Sequence, residues 1–467
     1  MDSLTRKENI EKEIQSQRNQ EGLLRKKILW KDDMVPFDVY KIRLSNLVYN
    51  SLNGRIKSRT LSLEAKGHKI DVSTPDGKKI IEKFLWESKI DRNERTLRDL
   101  ERHGQKEIGI ITQDGVIIDG NRRAMLLNKI DKFQYFETIV LHIDYESDPL
   151  AIEKLETQYQ MGEDEKLMYN PIEKYLKVKD LNQYPNVSVE MIAEWMNEKK
   201  SQIEIWLSTV EIMEDYLREY EYHKIYTRLE NREDAFLQVN RWMENFKGRV
   251  SVRAFDGYND TDVQRLKSIA FDYIRAVYEV SGMMDWKDLR DLASGNKGNH
   301  LFSDKDIWKD FEKKHFDKIQ EITDSETSLD QIQFGDEPEK ILKARDANYA
   351  SMAIDFLKEN FEESLQKLRD KTYSSKPGKL IAQRSNSIKE IIKNPNVLDS
   401  DSTQVLTDLV SKVDKVVSAK SPLRYIERVY KLLEQTNIDS IPEEDIDDVY
   451  EQLKKIQRLA YRFEKEI

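Results

Sequence analysis

The sequence predicts an α+β protein in which helix predominates: a small α/β module near the N-terminus, then a helix-turn-helix, then all-α regions. Three observations carry this expectation. Charged residues make up 35% and hydrophobic residues 38% of the 467, with only 16 Gly and 10 Pro, a composition that suits long solvated helices. Two short β-prone runs, 108–112 and 116–118, flank Gln113-Asp114-Gly115, and Gly115 can supply the positive φ that a tight hairpin turn demands. From Asn170 onward, apolar residues recur at helical spacing.

Taken in order, residues 1–34 read as a charged helical arm with sparse apolar positions. The core is expected to begin at Val35, where VPFDVYKIRL reads as a strand, followed by a polar loop or hairpin excursion through about residue 79. ERTLRDLERH (94–103) forms a helix with Leu97 and Leu100 on one face and Gly104 as its terminator. The 108–118 hairpin then runs into Asp119-Gly120, a helix opens at Asn121, and a strand at 137–143 and a helix at 149–161 complete a module spanning 35–165.

Residues 166–220 hold the helix-turn-helix: Asn170 caps a helix that begins with Pro171, and helices over 189–196 and 201–216 are separated by a turn at Asn197-Glu198. Residues 221–323 form a helical domain whose aromatics, among them Trp242, Phe246, Tyr273, Tyr278 and Trp286, are expected in its core. The acidic run DSETSLDQIQFGDEPE (324–339) is the expected linker, and 340–467 a C-terminal helical bundle. In its last helix Ser440 and Glu443 form a capping-box pattern, and Ile446, Val449, Leu453, Ile456, Ala460 and Phe463 alternate spacings of three and four. That seam suits an antiparallel bundle within one chain or a dimeric coiled coil; overall a homodimer is expected.

Composition excludes several chemistries. With Cys 0 there is no disulfide, thiolate nucleophile or Cys-ligated zinc, and the six His residues are scattered without metal-binding spacing. A net charge of -10 argues against coating nucleic acid by bulk electrostatics, so any DNA contact must be local. The first residues lack an apolar signal core and no apolar run suits a membrane span; the expectation is a cytoplasmic protein with no membrane partner.

The candidate chemistry lies in Asp119-Gly120-Asn121-Arg122-Arg123. Gly120 admits a ligand to the backbone, the new helix presents unpaired N–H groups, and two guanidinium groups supply permanent donors. These are parts of a polyphosphate site, although the same residues also suit a plain strand-to-helix turn whose arginines pair with Asp114 or Asp119.

The stretch GIITQDGVIIDGNRRAMLL (109–127) resembles the N-terminal domain of the ParB/sulfiredoxin superfamily around its "GERR" box. Residues 163–173, EDEKLMYNPIE, resemble that family's second box, Asn50 to Arg55 stands in for its first loop, and VSVEMIAEWMNEKKSQIEIWLSTV resembles the ParB helix-turn-helix. The likeness covers about residues 35–215. It implies a nucleoside triphosphate, CTP or ATP, with Mg²⁺. By position, Asn53, Arg55, Gly120, Asn121, Arg122, Arg123, Lys166 and Asn170 would bind nucleotide, Glu163, Asn170 and Glu173 would hold the metal, and Glu163 and Glu173 would serve any catalysis. Lys166 replaces an arginine of the family and loses its bidentate fork. The sulfiredoxin branch depends on a cysteine that this chain lacks.

In the helix-turn-helix, Lys199, Lys200 and Gln202 are the candidate DNA contacts, opposed by Glu190, Glu194, Glu198 and Glu204. The resulting expectation is a ParB-like triphosphate-binding and hydrolysing switch that controls engagement of DNA or a partner protein, in partition, regulation or phage defence. The alternatives are an inactive adaptor that keeps the fold, or a phosphotransferase built on it.

Overall fold

The computed structural model describes residues 1–18, 22–161, 170–222, 224–280, 285–324, 338–375, 400–438 and 441–466. The chain is α+β and predominantly helical, as its composition anticipates. It divides into two compact units, Met1–Ser374 and Ser375–Ile467.

The first unit opens with α1 (Ser3–Arg18), which is not the solvated arm its composition suggests: Ile10 and Ile14, four apart, are both buried against the sheet. A hairpin of β1 (Arg25–Trp30) and β2 (Asp33–Arg43) follows, so the core starts before Val35. After β3 (Val48–Tyr49), the expected loop excursion to about residue 79 instead holds α2 (Lys57–Ala65) and the start of α3 (Pro75–Glu87), and the expected helix ending at Gly104 follows as α4 (Ile90–His103). Local chemistry explains α3: Thr74 accepts from the Gly77 amide and Pro75 occupies the first turn.

β4 (Gly109–Thr112) and β5 (Val116–Asp119) form the anticipated hairpin, with Gly115 at φ +87°. Next come α5 (Asn121–Asn128), β6 (Tyr135–Leu141) and α6 (Pro149–Met161). The sheet order is β1-β2-β6-β4-β5-β3, with β4/β6 and β3/β5 parallel and the other pairs antiparallel.

Strand alternation gives this sheet two buried faces. Tyr40, Ile42, Ile111, Ile117, Phe136 and Val140 meet α1, α3, α4 and α5 on one side, while Val39, Ile110, Ile118, Ile139 and Leu141 meet Ile152 and Leu155 of α6 on the other.

A separate helical core follows, built from α7 (Pro171–Asn182), α8 (Val189–Met196), α9 (Lys200–Glu219), α10 (Glu233–Phe246), α11 (Asp260–Val277), α12 (Lys305–Thr323) and α13 (Pro338–Ser375). Trp242, Phe246, Tyr273 and Trp286 are buried there, as helical spacing predicts. α13 belongs with this core rather than with a separate C-terminal bundle. Tyr349, Leu357, Phe361 and Leu365 are buried in it, and Asp346 takes a 3.0 Å bond from Arg275 Nε in its interior.

The second unit contains α14 (Ser400–Lys420), α15 (Pro422–Gln435) and α16 (Ile446–Glu466). Among its described side chains none is buried, so the apolar faces of these helices lie open. Ser440, half of the capping box read from the sequence, lies outside the described residues.

Candidate functional site

The Asp119–Arg123 segment lies where the sequence places it, between β5 and α5. Gly120 adopts φ +102°, and no side chain caps the helix. The first intrahelical bond runs from the Ala124 amide to the Gly120 carbonyl (2.8 Å), so the helix leaves the amides of residues 121–123 without an intrahelical acceptor. An uncapped N-terminus of this kind favours negative charge.

Gly120 has a second role that the sequence does not reveal. A Cβ there would come within 2.7 Å of the Phe136 ring, and one at Gly109 within 2.2 Å of the same ring. Both glycines are shaped by close packing against Phe136 as well as by backbone conformation.

The segment from Asn50 to Ser58 joins this turn to the helices beyond. The Asn50 amide donates to Asn121 Oδ1 (2.9 Å), and Asn121 Nδ2 donates to the Ile117 carbonyl (2.9 Å). Asn53 Nδ2 and the Gly54 amide both donate to Glu156 Oε1 of α6, at 3.0 and 3.3 Å. The Ser58 amide and hydroxyl donate to Glu173 of α7, the hydroxyl at 2.6 Å, and Lys57 pairs with Asp180 of the same helix. One short segment therefore touches the first turn of α5, α6 and α7.

Arg122 and Arg123 take different roles. Arg122 is gripped by Asn93 of α4, whose Oδ1 accepts from Nε (3.0 Å) and Nη2 (2.6 Å). Asn93 is itself fully buried and fixed, its amide donating to the Leu85 and Trp86 carbonyls. Arg123 instead donates to the Glu107 carbonyl (2.7 Å) and lies 3.7 Å from Asp119, which ties α5 to the strand before it.

Arg92, one residue before Asn93, lies within electrostatic reach of Arg55. Burial, and then the Arg55 guanidinium, pull Arg92 below the usual arginine value.

Beneath the segment lies a buried charged floor. Lys177 is almost wholly enclosed and pairs with Glu153 and, at 2.8 Å, with Glu156. Burial alone would lower its ammonium pKa, yet the two carboxylates outweigh burial and hold it above the ordinary value. Burial pushes Glu173 up to about 7, partly offset by the two Ser58 donors and by Lys57.

The proposed metal ligands are accounted for as follows. Glu173 faces Ser58, Asn170 Oδ1 accepts from the Ile172 amide as the cap of α7, and Glu163 and Lys166 lie outside the described residues. Among the described residues no group of three His, Asp or Glu side chains is placed to hold a metal ion.

Sequence reasoning missed Arg92, Asn93, Glu153 and Glu156. The first two sit in an ordinary-looking helix start. The glutamates carried one readable signal: two carboxylates three apart in α6, on the side of Ile152 and Leu155, which demands a buried partner.

The helix-turn-helix is present as α8 and α9, with Asn197 in the left-handed region (φ +54°) and Ile192, Ile203 and Trp206 buried between the helices and their neighbours. Lys200 pairs with Glu190 (2.7 Å) and lies 3.7 Å from Glu204. Lys199 is exposed and Gln202 half-buried. No protein-family profile matches this chain, and no curated protein matches its sequence.

Proposed function

We propose that the chain is a nucleoside-triphosphate-binding switch whose phosphates lie against the N-terminus of α5. The observation that carries this reading is that hydrogen bonds join this helix end both to the Asn50–Arg55 segment and to α4. Asn50 binds Asn121; Arg122, the next residue, is held by Asn93; and Arg92, the residue before Asn93, lies within electrostatic reach of Arg55 in the segment that begins at Asn50. A helix N-terminus with one guanidinium group in its first turn, and further arginines on the two segments joined to it, suits a chain of phosphate oxygens.

The likeness of 109–127 and 163–173 to the ParB nucleotide-binding domain favours CTP or ATP as the ligand, with Mg²⁺ bridging its phosphates. Arg55, Arg92 and Arg122 would hold the phosphates, and the divalent ion would neutralise the remaining charge.

The switch character rests on α2. Its inward face is polar, with Lys57, Ser58, Thr60 and Ser62 all buried. Ser58 engages α7, and Ser62 Oγ accepts the Thr227 amide (3.0 Å) in the turn whose Arg228 reaches the buried Asp346 of α13. A shift of the Asn50–Arg55 loop on ligand binding would therefore move groups that anchor the helical core. DNA or a partner protein is the target of that motion, with α8 and α9 as the DNA-facing element.

The test is a thermal-shift and phosphate-release panel of ATP, CTP, GTP and UTP with Mg²⁺. At least one triphosphate should raise Tm by several degrees at millimolar concentration, because a ligand bound only by the folded state stabilises it. No shift with any of the four sinks the reading. A shift without phosphate release identifies a binding switch rather than a hydrolase.

A further inference from the structure

The last helix carries an unpartnered seam that is complementary to itself. No residue of α16 is buried, and Ile446, Leu453, Ile456 and Phe463 remain 51%, 46%, 38% and 48% exposed. Ile446, Val449, Leu453, Ile456, Ala460 and Phe463 occupy a and d positions of successive heptads. Reflected through the midpoint between Lys454 and Lys455, this pattern maps onto itself: 446 falls on 463, 449 on 460, and 453 on 456. An antiparallel pair of identical helices thus sets every seam residue level with another, and each a position beside a d.

Charge distinguishes the two directions. The first half of the helix carries Asp447, Asp448 and Glu451 with no basic residue, and the second carries Lys454, Lys455, Arg458 and Arg462 with no acidic residue before Phe463. Packed helices lie roughly 8–10 Å apart, about one Debye length at physiological salt, so these fields act across a pair. A parallel pair sets acid beside acid and base beside base. An antiparallel pair sets each acidic half beside a basic one. The ion pairs inside the helix, Glu451–Lys454 and Arg462–Glu466, are both 3.9 Å long and exposed, and so do little to quench that asymmetry.

We propose that α16 is a homodimerisation element that pairs antiparallel with α16 of a second copy, with the two-fold axis crossing between Leu453 and Ile456. A specific interface must clear roughly 1,000 Å², and the seam contributes six side chains from each copy, broadened by the exposed Tyr450 and Leu459. This pairing does not depend on the phosphate site.

The test is the mass of the full-length chain by light scattering across a concentration series. The wild type should be dimeric at tens of micromolar. An acidic variant (Lys454→Glu, Lys455→Glu, Arg458→Glu, Arg462→Glu) and a basic variant (Asp447→Lys, Asp448→Lys, Glu451→Lys) should each dimerise at least tenfold more weakly. Mixing the two should restore a heterodimer, a gain that misfolded variants could not show.

Because the chain has no cysteine, direction can be read by cross-linking. The double variant Ile446→Cys, Phe463→Cys should form an intermolecular disulfide, whereas Phe463→Cys alone should not. A monomeric wild type, homodimers undiminished in both charge variants, or efficient cross-linking through Phe463→Cys alone would each overturn the proposal.

Discussion

Asn121 Oδ1 accepts a hydrogen bond from the backbone amide of Asn50, 2.9 Å away, and so fastens the loop after β3 to the first turn of α5. Both residues are buried. This bond holds the start of the segment that carries Arg55 against the uncapped helix end, the feature on which the proposed phosphate site rests.

Arg122 does not orient itself; Asn93 orients it. Replacing Asn93 with Ala removes the oxygen that accepts both guanidinium donors, and hydrogen bonds to charged groups contribute about 1.5–3 kcal/mol each. Triphosphate affinity should fall tenfold or more in Asn93→Ala, and at least as far in Arg122→Ala. Titration at a temperature where all three proteins remain folded checks this. Wild-type affinity in Asn93→Ala would show that the Asn93–Arg122 contact has no part in binding.

Two glycines with positive φ should respond differently to alanine. Gly248 (φ +74°, ψ +6°) has open space where a Cβ would stand, so Gly248→Ala incurs only the left-handed backbone penalty, about 1–2 kcal/mol. Gly120→Ala adds a clash with Phe136 and should cost about 3 kcal/mol or more. Denaturant melts of the two variants compare them directly; equal losses would remove Phe136 from the explanation.

Glu173 sets a pH dependence of definite sign. Its folded value of about 7 lies above the ordinary 4.5, so the folded state holds the proton more tightly. The contribution is fully present below about pH 4.5 and is lost as pH rises toward 7, on the order of 3 kcal/mol in all. Glu173→Gln should therefore gain stability relative to wild type across that interval and hold the gain above it. A difference that stays flat from pH 4.5 to 7.5 contradicts the role given to burial.

His300 works in the opposite direction. It is fully enclosed, and burial lowers its folded value to about 4 from 6.5. Its contribution is present above pH 6.5 and is lost as pH falls toward 4, again about 3 kcal/mol. In His300→Gln this acid-limb loss should vanish, which stability curves at pH 4, 5, 6 and 7 will reveal.

What the sequence made legible was whatever local chemistry determines. Gly115 had to turn a hairpin, Asn170 and Pro171 had to open a helix, and Ile192, Ile203 and Trp206 had to face a core. Elements whose cause is tertiary escaped notice. α1 buries only Ile10, Ile14 and Arg6 through contacts more than twenty residues away, and β1 exists because β2 pairs with it.

The site divided in the same way. Gly120, Asn121 and Arg122 announce themselves as a motif. Arg92 and Asn93 gain their meaning only when α4 is laid beside α5, and Glu156 only when the Asn53 loop descends onto α6. The reading of α13 changed for a related reason: a buried aspartate that needs Arg275 is invisible in a helical repeat.

The Phe136 ring, wedged against Gly109 and Gly120, bears on how this protein could diverge. A glycine at such a helix start is usually thought to be kept by a ligand, but here a neighbour's volume would keep it whether or not the proposed nucleotide binds. Positions 109, 120 and 136 should drift as a group, with a smaller ring-site residue appearing before either glycine is released. Persistence of Gly120 in a lineage would thus testify to the core, and Arg92 and Arg122 would be the positions at which to see the ligand's own selection.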